Sequence, residues 1–149
     1  MKAPVLVQVD LIGTPEDPVR QRLLPALAEL AQNEWPLVLL AVRPDRWTPT
    51  RNRVDRAFMR QATIEADLRR AGAALDGILY LDFGLFSRQR QRGRDIADLA
   101  DRYGCKTRDM HGIAQPGRIA DTMREVVGSI DIIDGPDQLD GALRALTRR

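Results

Sequence analysis

The 149-residue chain has one cysteine and one histidine. Cys105 has no intramolecular disulfide partner, and a structural zinc site built on several thiolates is excluded. Aromatic residues make up only 5% of the chain, so aliphatic side chains must fill the core. No apolar run approaches the ~20 residues that cross a bilayer. The apolar start, broken by Asp10, is too short for a signal-peptide core. A cytoplasmic protein without membrane contact is the expectation. No repeat, low-complexity tract or linker interrupts the sequence, and the length fits one domain over residues 1–149. The net charge of +2 says little about partners, but the cations are mostly arginine and clustered.

What the chain does have is alternation. Apolar runs at Pro4–Leu11, Leu37–Val42, Gly77–Leu81 and Ile130–Ile133 are short and near-continuous, as expected of parallel strands covered on both faces. Helical patterns lie between them. One starts at Pro25, with proline at a favoured first position. A second runs from about Thr48 to Arg70, with Val54, Phe58 and Ala62 inward and Gly72 as its stop. Others cover Asp95–Tyr103, Pro116–Val127 and Pro136–Leu146. Cys105–Gln115 reads as either a short strand or a loop, with His111 on a loop. Strand and helix in repetition predict right-handed crossovers and a three-layer α/β/α domain around a mostly parallel sheet.

In such folds ligands bind beyond the carboxyl ends of the strands. Asp10 stands there, in Val9-Asp10-Leu11-Ile12-Gly13-Thr14. It serves either a ligand or the following turn, through a local side-chain hydrogen bond. A second feature is Arg88-Gln89-Arg90-Gln91-Arg92-Gly93-Arg94. In an extended segment its arginines point one way, and guanidinium groups suit phosphate. With Arg43 and Trp47 after the second strand they form a candidate surface for a phosphorylated ligand, an acidic protein or nucleic acid. The alternative is an ordinary solvated charge run. No aromatics interleave in the arginine run, so it lacks a stacking platform for single strands. Asp131, Asp134, Asp137 and Asp140 read as a strand end followed by acids at a helix N-terminus.

Four landmarks in order resemble the haloacid dehalogenase (HAD) superfamily, and among its branches the capless histidinol-phosphate and heptose-bisphosphate phosphatases. They are Asp10-Leu11-Ile12-Gly13-Thr14, Leu23-Leu24-Pro25-Ala26-Leu27, Gly72-Ala73-Ala74-Leu75-Asp76-Gly77-Ile78-Leu79-Tyr80, and Ser87 to Gly93. The resemblance spans roughly residues 3–104. It implies a Rossmannoid HAD-like fold without a cap domain. It also implies an aspartate nucleophile, a second aspartate as acid and base, and Mg2+ held by carboxylates. Asp10 matches the nucleophile and metal ligand. Ile12 stands at the acid–base position, Ala41 at the phosphate-binding hydroxyl, and Gln89 at the lysine. If Asp10 is instead the second aspartate, Gln8 takes the nucleophile position.

Loss of general acid–base catalysis is typically worth about 10²–10⁴-fold in rate. The expectation is therefore a degenerate, pseudoenzyme-like member that binds a partner or phosphorylated ligand. The alternative is an active Mg2+-dependent phosphomonoesterase, acting on small molecules or polynucleotide ends. It would use Asp10 as nucleophile, with Asp82, Asp109 or Asp134 as a second acid.

Overall fold

A computed structural model describes residues 2–44 and 51–148, with side chains in the second segment from residue 54. Five strands, β1 (Val5–Gln8), β2 (Leu37–Val42), β3 (Gly77–Leu81), β4 (His111–Ala114) and β5 (Ser129–Ile132), form one sheet. Their order is β3-β2-β1-β4-β5, and every pairing is parallel. Five helices alternate with them: α1 (Pro18–Gln32), α2 (Arg51–Arg70), α3 (Gln89–Arg102), α4 (Arg118–Val126) and α5 (Leu139–Thr147).

The period-two geometry of the central strands explains the three layers. Val5, Val7, Leu37 and Leu39 face α1, α2 and α5, meeting Leu23, Leu27, Ile64, Leu68 and Leu143. Leu6, Val38 and Leu40 face α3 and α4, meeting Ile96, Leu99, Ile119 and Met123. Strands buried on both faces are apolar throughout, which is why these runs lack polar alternation. Among the described residues, no helix is long and apolar enough to cross a membrane.

Several boundaries differ from the sequence reading. β1 stops at Gln8, and Val9–Ile12 forms a single 3-10 turn closed by Gly13 at φ 77°. α1 starts seven residues before Pro25, because Asp17 caps it by accepting from Val19 N at 2.9 Å and Pro18 takes the first helical position. Pro25 is accommodated inside the helix. Phe58 does not face inward; it is 66% exposed on α2. Cys105–Gln115 contains a strand, β4, with His111 as its first residue.

The largest correction concerns the arginine run. It is not extended: from Gln89 onward it forms the first turns of α3. Gln and Arg are good helix formers, and Ile96, Leu99 and Ala100 bury at helical spacing. A period of two on a helix spreads side chains around the axis, so the arginines form no comb.

Cys105, just past α3, is partly buried. Burial pushes its thiol up from the ordinary value, and the nearby Asp109 and Asp101 charges add to the effect. Its alkylation by iodoacetamide is therefore expected to be slow at neutral pH. The rate should keep rising beyond the pH at which a free thiol levels off. A plateau at the ordinary thiol value would contradict this environment.

Candidate functional site

The chain leaves β1 toward β2 and β3, then returns to the other side of β1 to form β4 and β5. The gap between the carboxyl ends of β1 and β4 is therefore the switch point, where α/β sheets open a crevice. Two glutamines bridge it. Gln8, the last residue of β1, donates from Nε2 to Asp10 Oδ2 at 2.9 Å. Its Oε1 accepts from the backbone N–H of Gln115, just past β4, at 2.9 Å. Gln115 Nε2 in turn donates to the Asp134 carbonyl at 3.2 Å. Asp10 also faces Arg60 of α2 at 3.8 Å. The carboxylate is thus half-exposed but already matched by an amide and a guanidinium. Asp10 caps no helix; that role falls to Asp17. Gln115 was not singled out in the sequence. Its only signal is that it directly follows the segment that becomes β4.

Ile12 and Ala41 do not line this crevice. Both are fully buried in the apolar layer beneath α1. The turn that carries Ile12 is held from below by Arg20 of α1, which donates to the Gly13 carbonyl at 2.7 Å. Arg20 is itself buried and paired with Asp67 of α2 at 3.2 Å, and Asp67 also meets Arg70.

Arg43 is exposed at the end of β2, where its backbone N–H donates to the Leu81 carbonyl at 2.8 Å. Trp47 lies outside the described residues. The arginine run divides into two sets. Gln89 and Arg92 are committed internally. Gln89 Nε2 donates to Glu125 of α4 at 3.0 Å, and its Oε1 accepts from Arg92 at 2.9 Å. Arg92 also donates to the Asp82 carbonyl at 2.9 Å and Ser87 Oγ at 3.0 Å. Arg92 and Arg118 both stand over one ring, Phe83, at 4.4 and 4.8 Å from its centroid.

Arg88, Arg90 and Arg94 form the second set. They are exposed and line a cavity of about 400 Å³ together with Asp82, Phe86 and Asp95. Among the described residues they carry no ion pair. Here α3 departs from helix electrostatics. Its cap residue is Arg88, with no side-chain capping bond, and its first turn has no acid. Helix N-termini favour anions, and each misplaced cation there typically costs about 0.3–1 kcal/mol.

His111 is not on a loop, and it does have partners. It is buried, with Nδ1 2.6 Å from Ser129 Oγ and Nε2 2.8 Å from Asp131 Oδ2. Ser129 and Asp131 alternate on β5, so the imidazole clips this edge strand to β4 near its start. The signal in the sequence was the i, i+2 pair of polar residues on a strand.

No protein-family model matches the sequence, and no curated protein matches it. Among solved structures, the chain is similar to D,D-heptose 1,7-bisphosphate phosphatase from B. bronchiseptica, crystallised with magnesium and phosphate. The TM-score is 0.67 at 15% identity, covering 99% of this chain and 97% of that one. The fold is HAD-like. The fold similarity includes β4 and β5, which lie beyond the sequence landmarks.

The described residues include no group of three or more His, Cys, Asp or Glu side chains placed to hold a metal ion. Of the three acids considered as partners for Asp10, two have side-chain partners of their own. Asp82 accepts from Gly84 N at 2.8 Å within its own loop. Asp109 precedes β4, at the opposite end of the sheet, and accepts from Lys106 N at 3.2 Å. Asp134 follows β5 and contributes its backbone carbonyl.

Proposed function

We propose that this chain is a HAD-like domain that acts by binding an anionic, phosphorylated ligand and lacks efficient phosphatase activity. The observation carrying this reading is the pairing of two anomalies at the same end of the sheet. The Asp10 carboxylate is matched by Gln8 and Arg60, while three guanidiniums stand unpaired among the described residues at the uncapped start of α3. The first is a poor start for phosphoryl transfer. The second is a good start for holding phosphate.

Magnesium chemistry of the kind suggested by the similar phosphatase needs a hard, oxygen-rich site, usually with more than one carboxylate or a bound phosphate. The Asp10 carboxylate at the switch point already has an amide nitrogen on one oxygen and a guanidinium near the other, and the described residues hold no cluster of three or more ligating side chains. An ion bound there would have to displace both of these contacts. Ile12 lies in the core, so the acid–base position of the resemblance has no proton to give.

The competing reading is an active Mg2+-dependent phosphomonoesterase with Asp10 as nucleophile. It is favoured by the half-exposed placement of Asp10 beside the switch point. The two readings are separated by phosphate release from a panel of phosphomonoesters with Mg2+. We expect wild type and Asp10→Asn to be equally inactive. Turnover that disappears in Asp10→Asn would overturn the binding reading.

A further inference from the structure

We infer that Ser129 is an activated nucleophile, with His111 as its base and Asp131 orienting that base, and that it accepts an acyl group from an ester or thioester. This goes beyond the anion-binding reading and uses none of its residues. His111 and Ser129 are the first residues of β4 and β5, and His111 is level with Val5 at the start of β1. Asp10 follows the last residue of β1, so the two sites lie at opposite ends of the sheet.

Three observations converge. The first is the polarity of two hydrogen bonds. His111 Nε2 lies 2.8 Å from Asp131 Oδ2, and Nδ1 lies 2.6 Å from Ser129 Oγ. A carboxylate only accepts, so in the neutral imidazole Nε2 carries the proton. Nδ1 is then the acceptor, and the Ser129 hydroxyl donates to it. The network therefore assigns the tautomer whose ring lone pair points at the hydroxyl. A nucleophile bonded to a base, with the base held by a third group, is the arrangement that activates serine. Relative to the usual Ser-His-Asp set, the two ring nitrogens are exchanged. Either nitrogen of imidazole can take a proton, so the exchange leaves the base intact.

The second observation is access. Ser129 is exposed, while His111 beneath it is only 4% exposed. A reagent can reach the hydroxyl, and the ring is shielded from water. The chain has one other serine, Ser87, and the contrast is informative. Its Oγ donates to the Gly84 carbonyl at 2.7 Å and accepts from Arg92 at 3.0 Å. That hydroxyl faces a weak base and a cation, which leaves it inert.

The third is rigidity. His111 pairs in register with Ser129, and Ile113 with Asp131. Side chains two apart on a strand share a face, so Ser129 and Asp131 flank the imidazole from one strand. The segment before them is also fixed, since Gly128 N–H donates to the Thr107 carbonyl at 3.2 Å. Sites built on strands hold their geometry better than sites on loops.

In the step proposed, Ser129 Oγ bonds to the acyl carbon as its proton passes to His111 Nδ1. The bond from that carbon to the leaving oxygen or sulfur then breaks, and the imidazolium gives its proton to the departing atom. Asp131 stabilises the imidazolium between the two transfers. An acyl ester of Ser129 remains. With a neutral imidazole the three side chains carry one negative charge, which repels a phosphoryl dianion and tolerates an uncharged carbonyl.

The test treats the full chain with a fluorophosphonate, which traps activated serines by losing fluoride, and separately with p-nitrophenyl acetate. Peptide mass spectrometry should place the phosphonyl and acetyl groups on Ser129 and neither on Ser87. Ser129→Ala, a change to an exposed side chain, should lose both. His111→Gln should slow labelling by about a hundredfold or more. Asp131→Asn should slow it by about tenfold or more. Nitrogen NMR of the single histidine should show its ring proton leaving Nε2 in that variant, which a merely structural role would not require. Circular dichroism would verify folding, and Ser129→Ala with Asp131→Asn suffices where His111→Gln does not fold. An unlabelled wild type, equal labelling of Ser87, or unchanged labelling in Asp131→Asn would overturn the assignment. Phosphonylation without acetylation would overturn the acyl class of substrate.

Discussion

Asp67→Ala is expected to cost about 3–5 kcal/mol of folding stability, the penalty for leaving a buried charge without its partner. Arg20 is 1% exposed and its guanidinium has two partners, the Asp67 carboxylate and the Gly13 carbonyl. Its Nε has none among the described residues. Without Asp67 the guanidinium would keep one neutral acceptor in an apolar layer. Arg70 would lose a partner too, but its side chain is three-quarters exposed and water replaces the contact. Since domains are stable by only about 5–15 kcal/mol, chemical denaturation should show a large fall in the midpoint. The double variant Arg20→Met/Asp67→Leu should recover most of the loss, because an apolar pair leaves no charge unpaired. A cost under about 1 kcal/mol for Asp67→Ala would mean that Arg20 reaches water once its partner is gone. The consequence would extend to the crevice, since Arg20 holds the Gly13 turn that follows Asp10.

Gly128→Ala should cost about 2–4 kcal/mol for a different reason. A Cβ at this position would lie 1.8 Å from the Arg108 carbonyl oxygen. An ordinary carbon–oxygen approach is roughly 3.3 Å, and the obstruction is backbone, with no flexible side chain to swing away. The glycine is required here by close approach and not by a left-handed backbone. Its N–H also donates to the Thr107 carbonyl at 3.2 Å. Displacement of the segment would carry Ser129, the next residue, away from His111. Thermal unfolding would give the stability change, and the His111 ring resonances should shift with it. An alanine variant of wild-type stability would show that these two segments do not meet.

Much of the architecture was legible because parallel strands buried on both faces leave a simple trace. The bounds of β2 and β3 coincide with the apolar runs Leu37–Val42 and Gly77–Leu81. β4 was harder. Its four residues include a glycine and a histidine, and the histidine is acceptable in the interior only because Ser129 and Asp131, far along the chain, satisfy both ring nitrogens. α1 was read too short because Pro25 looked like a first position, whereas Asp17 and Pro18 form a stronger start.

At the site, strand-end placement made Asp10 visible in the sequence. The bridge from Gln8 to Gln115 was not visible, since the two meet only through the pairing of β1 with β4. The arginine run shows the limit most plainly. Its composition indicated an anion-binding surface, but alternation suggested a strand. The helical geometry then turned Gln89 and Arg92 inward toward α4 and the Asp82 loop. It left Arg88, Arg90 and Arg94 to line a cavity that the alternating pattern did not anticipate.

The most direct measurement is a crystal structure of this protein soaked with magnesium and tungstate, a heavy phosphate analogue whose position is unambiguous in anomalous maps. The account predicts tungstate at the start of α3 beside Arg88, Arg90 and Arg94, with Asp10 still bridged to Gln8 and Arg60. Tungstate sharing a magnesium ion with Asp10 at the switch point, and none beside α3, would contradict it.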